Sequence, residues 1–321
     1  MNTSALPPVV SQRSVSGRFL HDVIDGLTTQ PKALPCKYLY DKRGSELFDR
    51  ICELKEYYLT RTELAIMRRH APEMARAIGP GALLIELGSG SSLKTRVVLE
   101  HLPRVAAYVP VDICAEHMTR WAGALAADFP GLAVRPVHAD FSADFVVPAV
   151  GSARRRVVYF PGSTIGNFEP QEATQLLGRM ARLVGEDGAL LIGIDRKKDV
   201  AVLEAAYNDR EGVTSDFNLN LLRRIKRELG ADLEVDQFEH DAFYNPAEGR
   251  IEMHLVSTVP QTMRLDGVAI ELEPGETIHT ENSYKYDLAE FEDLAARGGF
   301  EPNRVWSDDR QMFSVLYMTR R

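Results

Sequence analysis

The stretch Leu83-Leu84-Ile85-Glu86-Leu87-Gly88-Ser89-Gly90-Ser91-Ser92-Leu93-Lys94-Thr95 decides how this chain folds. Its apolar run, with one acid near the end, suits a strand buried on both faces. Gly88 and Gly90 then let the backbone turn tightly beside a ligand before a helix begins. Two phosphate-binding readings of this strand-turn-helix fail at one position. A dinucleotide fingerprint needs a third glycine where Leu93 stands, at the point of close helix-to-strand packing. A P-loop needs glycine in the same place before Lys94-Thr95, so that backbone N–H groups can aim at phosphates. What survives is an acidic strand end followed by Gly-x-Gly, a turn that many α/β domains carry for structural reasons alone.

The sequence downstream repeats the strand-helix pattern and adds chemistry at the strand ends. Ala107 to Val111 is a second strand ending in Asp112, about 24 residues beyond Gly88 and close to the ~20-residue offset at which an acid meets ribose hydroxyls. Val134 to Ala139 is a third, ending in Asp140-Phe141, a carboxylate and an aromatic face suited to adenine's amino group and ring. Arg156 to Phe160 is a fourth, followed by Pro161-Gly162-Ser163-Thr164-Ile165-Gly166-Asn167-Phe168, and Gly188 to Ile194 is a fifth. Residues 199–279 then interrupt the pattern with helices near 203–207 and 214–229 and strand-like alternation at 241–244 and 250–259. It resumes with an amphipathic helix at 287–297, closed by Gly298-Gly299, and a hairpin through Val305-Trp306 and Met312 to Met318. The expected fold is α/β: a Rossmann-like seven-stranded sheet with a second, smaller α+β lobe over the strand ends. Expected divisions are a flexible tail (1–16), an N-terminal helical part of the second lobe (17–61), the core (62–197), an inserted lobe (198–285) and the completion of the core (286–321).

Composition narrows the partners. A formal net charge of −8 argues against nucleic acid, which a basic surface would meet. No run approaches the roughly 18 apolar residues of a membrane span. The first 16 residues lack the basic and apolar segments of a signal peptide, and Cys36, Cys52 and Cys114 have neither pairing number nor CxxC spacing, which together point to the reducing cytoplasm. The eight histidines show no ligand spacing, so no metal is expected. Upstream of the glycine turn, Leu47, Phe48, Ile51 and Leu54 form one buried helical stripe. Tyr38, Tyr40, Tyr57 and Tyr58 lie around that stripe, for packing or for a site.

Longer motifs are more specific. Tyr38-Leu39-Tyr40-Asp41, Gly44-Ser45-Glu46-Leu47-Phe48-Asp49, Glu56-Tyr57-Tyr58-Leu59-Thr60-Arg61-Thr62-Glu63, Glu86-Leu87-Gly88-Ser89-Gly90, Gly162-Ser163-Thr164-Ile165-Gly166-Asn167 and Arg250-Ile251-Glu252-Met253 resemble the histidine Nα-methyltransferases of ergothioneine biosynthesis, from about Gly26 to the C-terminus. The resemblance implies a class I methyltransferase fold, S-adenosylmethionine as methyl donor, and trimethylation of histidine's α-amino group to hercynine. Residue by residue, it implies cofactor contacts at Gly88, Lys94, Asp112, Asp140 and Phe141. For the amino acid it implies Tyr57, Asn167 and Tyr207 at the carboxylate and amino end, with Tyr40 near the α-nitrogen. Glu281 and Ser283 would read the imidazole, with Met253 lining that pocket; Tyr40 and Asn167 are the expected catalytic pair. Asn282 and Tyr284-Lys285-Tyr286 depart from the family pattern. A monomer acting on a small molecule is expected. The alternatives are an enzyme of this fold acting on another amino acid such as tryptophan, and a non-catalytic cofactor-binding module.

Overall fold

The computed structural model describes residues 12–102 and 104–321. Helix α1 (Gln12–Thr28) leads into a two-residue strand β1 (Lys32–Ala33), a 3-10 turn at Cys36–Leu39, and helices α2 (Lys42–Glu53) and α3 (Tyr58–Ile78). Asp41 starts α2 by accepting the Gly44 N–H, an N-cap that satisfies one of the orphan donors of the first turn. The core follows as β2 (Ala82–Leu87), α4 (Leu93–Leu99), β3 (Val105–Asp112), α5 (Ala115–Asp128), β4 (Val137–His138), β5 (Arg155–Phe160), α6 (Pro170–Val184) and β6 (Ala189–Asp195). The inserted part holds α7 (Val200–Ala205), α8 (Val213–Leu229), β7 (Phe238–Asn245), β8 (Arg250–Ser257), β9 (Gln261–Leu265), β10 (Val268–Leu272) and β11 (Thr277–Tyr284). The chain ends in α9 (Leu288–Arg297), β12 (Phe300–Ser307) and β13 (Phe313–Arg320).

Seven strands form one sheet in the order β12-β13-β6-β5-β2-β3-β4. Strand β2 runs parallel to β3 on one side and β5 on the other, so the chain reverses its direction of winding there and leaves a crevice at the carboxyl ends, where open α/β sheets bind ligands. All six β2 residues are buried, as their unbroken apolar run requires. Its one acid, Glu86, accepts from the hydroxyls of Thr95 and Tyr108, and burial pushes its carboxyl up to about 8. Glu86 thereby ties β2 to the first turn of α4 and fixes the glycine turn between them. A second sheet, β1-β11-β8-β7, stands over this crevice, and β9-β10 forms a separate hairpin turning on Asp266-Gly267, both with positive φ.

Several expectations are corrected. The third strand shrinks from 134–139 to Val137–His138 plus a lone bridge from Val134 to Tyr108, because Pro136 cannot donate to the ladder. Helix α1 starts at Gln12 and not Gly17; the rest of the expected tail, 1–11, lies outside the described residues. The division at 61/62 falls inside α3, one continuous helix that packs on α4 and β13. The N-terminal segment also reaches further than a helical cover, since Lys32 and Ala33 pair parallel with Ile278 and His279. No helix among the described residues is long and apolar enough to cross a membrane.

Candidate active site

A cleft of about 880 Å³ lies between the carboxyl ends of β2 and β3, the 3-10 turn at Thr164–Asn167, and β11. Tyr40, Gly88, Asp112, Asp140, Phe141, Asn167 and Glu281 line it directly. Tyr57, Lys94, Tyr207, Met253 and Ser283 are not among the residues that line it.

On the β2–β3 side, Gly88 and Gly90 take φ of +70° and +45°, conformations that favour glycine, and the Phe141 ring closes over Gly88, 3.6 Å from where a β-carbon would sit. The Asp112 carboxylate ends β3 and accepts the N–H groups of Cys114 (2.9 Å) and Gly90 (3.3 Å), which fix its direction toward the cleft; burial raises its proton affinity. Burial pushes Asp140 the same way, but the Ser142 hydroxyl and N–H and the Lys37 ammonium (3.4 Å) outweigh it, so the net shift is downward. Lys94, expected to contact the cofactor, stands beside the turn after β5, its ammonium 3.3 Å from where a β-carbon on Gly162 would sit. Its ammonium pairs with the fully buried Glu63 (2.6 Å), which also accepts the Gly162 N–H (2.9 Å). The lysine thus braces the turn after β5.

On the opposite side, aromatic rings form a box. Tyr40 meets Phe48 edge-on at 5.6 Å and Phe217 at 5.4 Å, while Tyr57 meets Phe48 at 6.2 Å and Tyr207 at 6.3 Å. Burial holds the Tyr40 and Tyr57 phenols well above their usual range, so both are neutral at physiological pH. Phe48, read from sequence only as part of a core stripe, also lines the cleft. Its helical spacing gave no sign of this second duty.

Asn167 sits at the end of a turn that packs flat on β11: a β-carbon on Gly166 would lie 2.8 Å from the Tyr284 carbonyl oxygen. Glu169, just beyond, accepts from Arg250 (2.6 Å), Asn282 (2.9 Å) and the Tyr284 hydroxyl (2.5 Å). Asn282 and Tyr284, the positions that departed from the family pattern, therefore clamp the Asn167 turn to the second sheet.

Glu281 and Ser283 alternate on one face of β11, and Glu281 pairs across the sheet with Met253. Among the described residues Glu281 Oε2 is buried without a hydrogen-bond partner, and burial, partly offset by Lys285, pushes this carboxyl up to about 7. On the other face Glu252, His254 and His279 converge, a set of metal-ligand type. Their geometry suits packing better. The two imidazoles stack at 4.7 Å, which prevents both rings from pointing at one ion, and Glu252 is taken up by Arg250, Asn245 and His254.

Comparison with known proteins agrees with this geometry. A family model described as a histidine-specific, S-adenosylmethionine-dependent methyltransferase matches residues 19–320. The histidine N-alpha-methyltransferase of Mycolicibacterium smegmatis is 37% identical, over 99% of this chain and 100% of that protein, and the one from Mycobacterium tuberculosis is 39% identical over 92% of each. A 4-dimethylallyltryptophan N-methyltransferase from Claviceps purpurea is 26% identical over 94% of this chain and 95% of its own length. With the seven-stranded sheet, the glycine turn at its switch point and a match over almost the whole length, the chain belongs to the S-adenosylmethionine-dependent, histidine-specific methyltransferase family.

Proposed function

We propose that this protein transfers methyl groups from S-adenosylmethionine to the α-amino nitrogen of L-histidine, three times in succession, giving hercynine, the first step of ergothioneine biosynthesis. The observation that carries this reading is the unpartnered, buried Glu281 oxygen at the end of the cleft, two residues from the Ser283 hydroxyl. A buried acceptor without a partner costs about 1–3 kcal/mol, and an imidazole N–H would relieve that cost. An indole N–H could also pair there, but indole has no second ring nitrogen for Ser283.

The residues on the β2–β3 side fit an adenosyl group. Asp112 is poised for ribose hydroxyls, Asp140 and Phe141 for the adenine, and Gly88 leaves room for close backbone approach. Bound there, S-adenosylmethionine supplies an electrophilic methyl on a cationic sulfur. The protein's part is positioning: an amine held in line with the methyl at about 3–3.5 Å needs no covalent intermediate. Asn167, which lines the cleft, is the group proposed to hold the amino acid's backbone end, and the resemblance implies Tyr57 and Tyr207, whose rings pack at 6.3 Å, beside it. The α-amino group, with a pKa of about 8 or above, must first lose its proton. Neutral Tyr40 and Tyr57 are not phenolate bases; they host the nitrogen as it grows more apolar and finally quaternary, each ring contributing about 0.5–2 kcal/mol. Carboxylates along the cleft, Asp112, Asp140, Glu169, Glu172 and Glu281 against Lys37 and Arg179, favour both cationic species.

Glu281 supplies the test. Its folded-state value of about 7 lies above the ordinary 4.5, so the acceptor form is gained as pH rises through 7. The KM for histidine should therefore fall over that range, and Glu281→Gln should lose this step while keeping the separate dependence on the α-amino group. Glu281→Ala should cost histidine roughly 1–3 kcal/mol and phenylalanine or tryptophan less. Equal losses for all three in competition assays would remove Glu281 from side-chain recognition.

A further inference from the structure

Lys285 has no exposed side-chain surface, and its ammonium lies behind the imidazole end of the cleft. It donates to Ser283 Oγ (2.7 Å) and to the Tyr207 hydroxyl (3.1 Å), and pairs with Asp195 (2.9 Å), which also accepts from Tyr58 (2.7 Å) and Lys198 (2.5 Å). The Tyr207 hydroxyl in turn donates to Ser283 Oγ at 2.7 Å. A serine hydroxyl has two acceptor sites and one proton. Both acceptor sites of Ser283 are filled from behind, and among the described residues its own O–H meets no acceptor.

We infer that Lys285 is a positioning residue for substrate specificity: by filling the second acceptor site of Ser283 it turns that hydroxyl into a dedicated donor. The inference rests on the reading of this cleft as a histidine site and deepens it. Glu281 accepts one ring N–H, Ser283 donates to the other ring nitrogen, and the pair selects neutral imidazole in a single tautomer. A five-membered ring with a C–H at the second nitrogen leaves the Ser283 proton unpaired. An imidazolium sets N–H against O–H. Asp195, at the end of β6, thus anchors through Lys285 a recognition element on β11.

The test compares histidine with a pyrrolylalanine that keeps the ring N–H and lacks the acceptor nitrogen, using Lys285→Met at a pH above 8. Asp195 keeps Lys198 and Tyr58 in this variant. The wild-type protein should prefer histidine by at least about tenfold, and the variant should lose most of that preference, because the freed acceptor site lets Ser283 turn its proton back to Tyr207. Ser283→Ala should lose it too, and combining the two substitutions should cost little more. Binding of S-adenosylhomocysteine should stay within about twofold, since Lys285 lies away from the β2–β3 side. If Lys285→Met does not fold, Lys285→Met with Asp195→Asn, which removes both charges of the pair, carries the same comparison. A preference that survives in the folded variant, with both amino acids weakened equally, would make Lys285 a structural brace only and overturn the inference. Failure of the wild-type protein to methylate histidine would instead count against the function proposed above.

Discussion

Gly166→Ala is expected to lower kcat/KM for histidine by about 100-fold while leaving cofactor affinity nearly unchanged. The added β-carbon would meet the backbone of Tyr284 at 2.8 Å and 3.1 Å, and a strand backbone inside a sheet cannot rotate away as a side-chain tip can. The Thr164–Asn167 turn must lift off β11, carrying Asn167 with it, and a misplacement of about 1 Å near reacting groups is enough for an effect of this size. Stability should fall by only about 1–3 kcal/mol, the usual cost of overpacking. Steady-state kinetics beside calorimetry with S-adenosylhomocysteine separates the two effects. Unchanged kinetics would mean that the turn does not position the substrate.

Asp112→Ala is expected to cost about 2–3 kcal/mol of cofactor affinity, on the order of 30- to 150-fold, because a carboxylate accepting two hydroxyls makes charge-assisted hydrogen bonds. The N–H groups of Gly90 and Cys114 already hold this carboxylate in place, so binding spends little on ordering it. Calorimetry with the folded variant is the measurement, and unchanged binding would take Asp112 out of the site.

The parts of this architecture written in local patterns were legible from the chain alone. The apolar run of β2, its glycine turn and the acids at Asp112 and Asp140 announce themselves because parallel strands are buried on both faces and end where ligands bind. Strand β11 did not. Of its eight residues only Ile278 and Tyr284 carry apolar bulk, because one face reads the cleft and the other holds the histidine stack, so hydrophobic alternation has nothing to report. The β9-β10 hairpin was also passed over, although Asp266-Gly267 between alternating residues is a recognisable turn signal. The Lys94–Glu63 and Lys285–Asp195 pairs and the Glu169 clamp join residues far apart in the chain. No spacing rule connects such positions; only the folded sheet brings them together. That is why the Glu63 partner of Lys94 could not be read from the chain, and why Asn282 and Tyr284 looked like departures from pattern before their shared acceptor was seen.

The cleft is expected to present the α-nitrogen to the sulfonium and to hold the ring away from it. Incubating the purified protein with methyl-labelled S-adenosylmethionine and a panel of free amino acids, then fragmenting the products in a mass spectrometer, decides which nitrogen is methylated. The predicted result is label on histidine far above every other amino acid, with three methyl groups on the α-nitrogen, none on the imidazole, and mono- and dimethylhistidine converted onward. Methyl groups on the ring, arrest at one methyl with excess donor, or preferential labelling of tryptophan would contradict it.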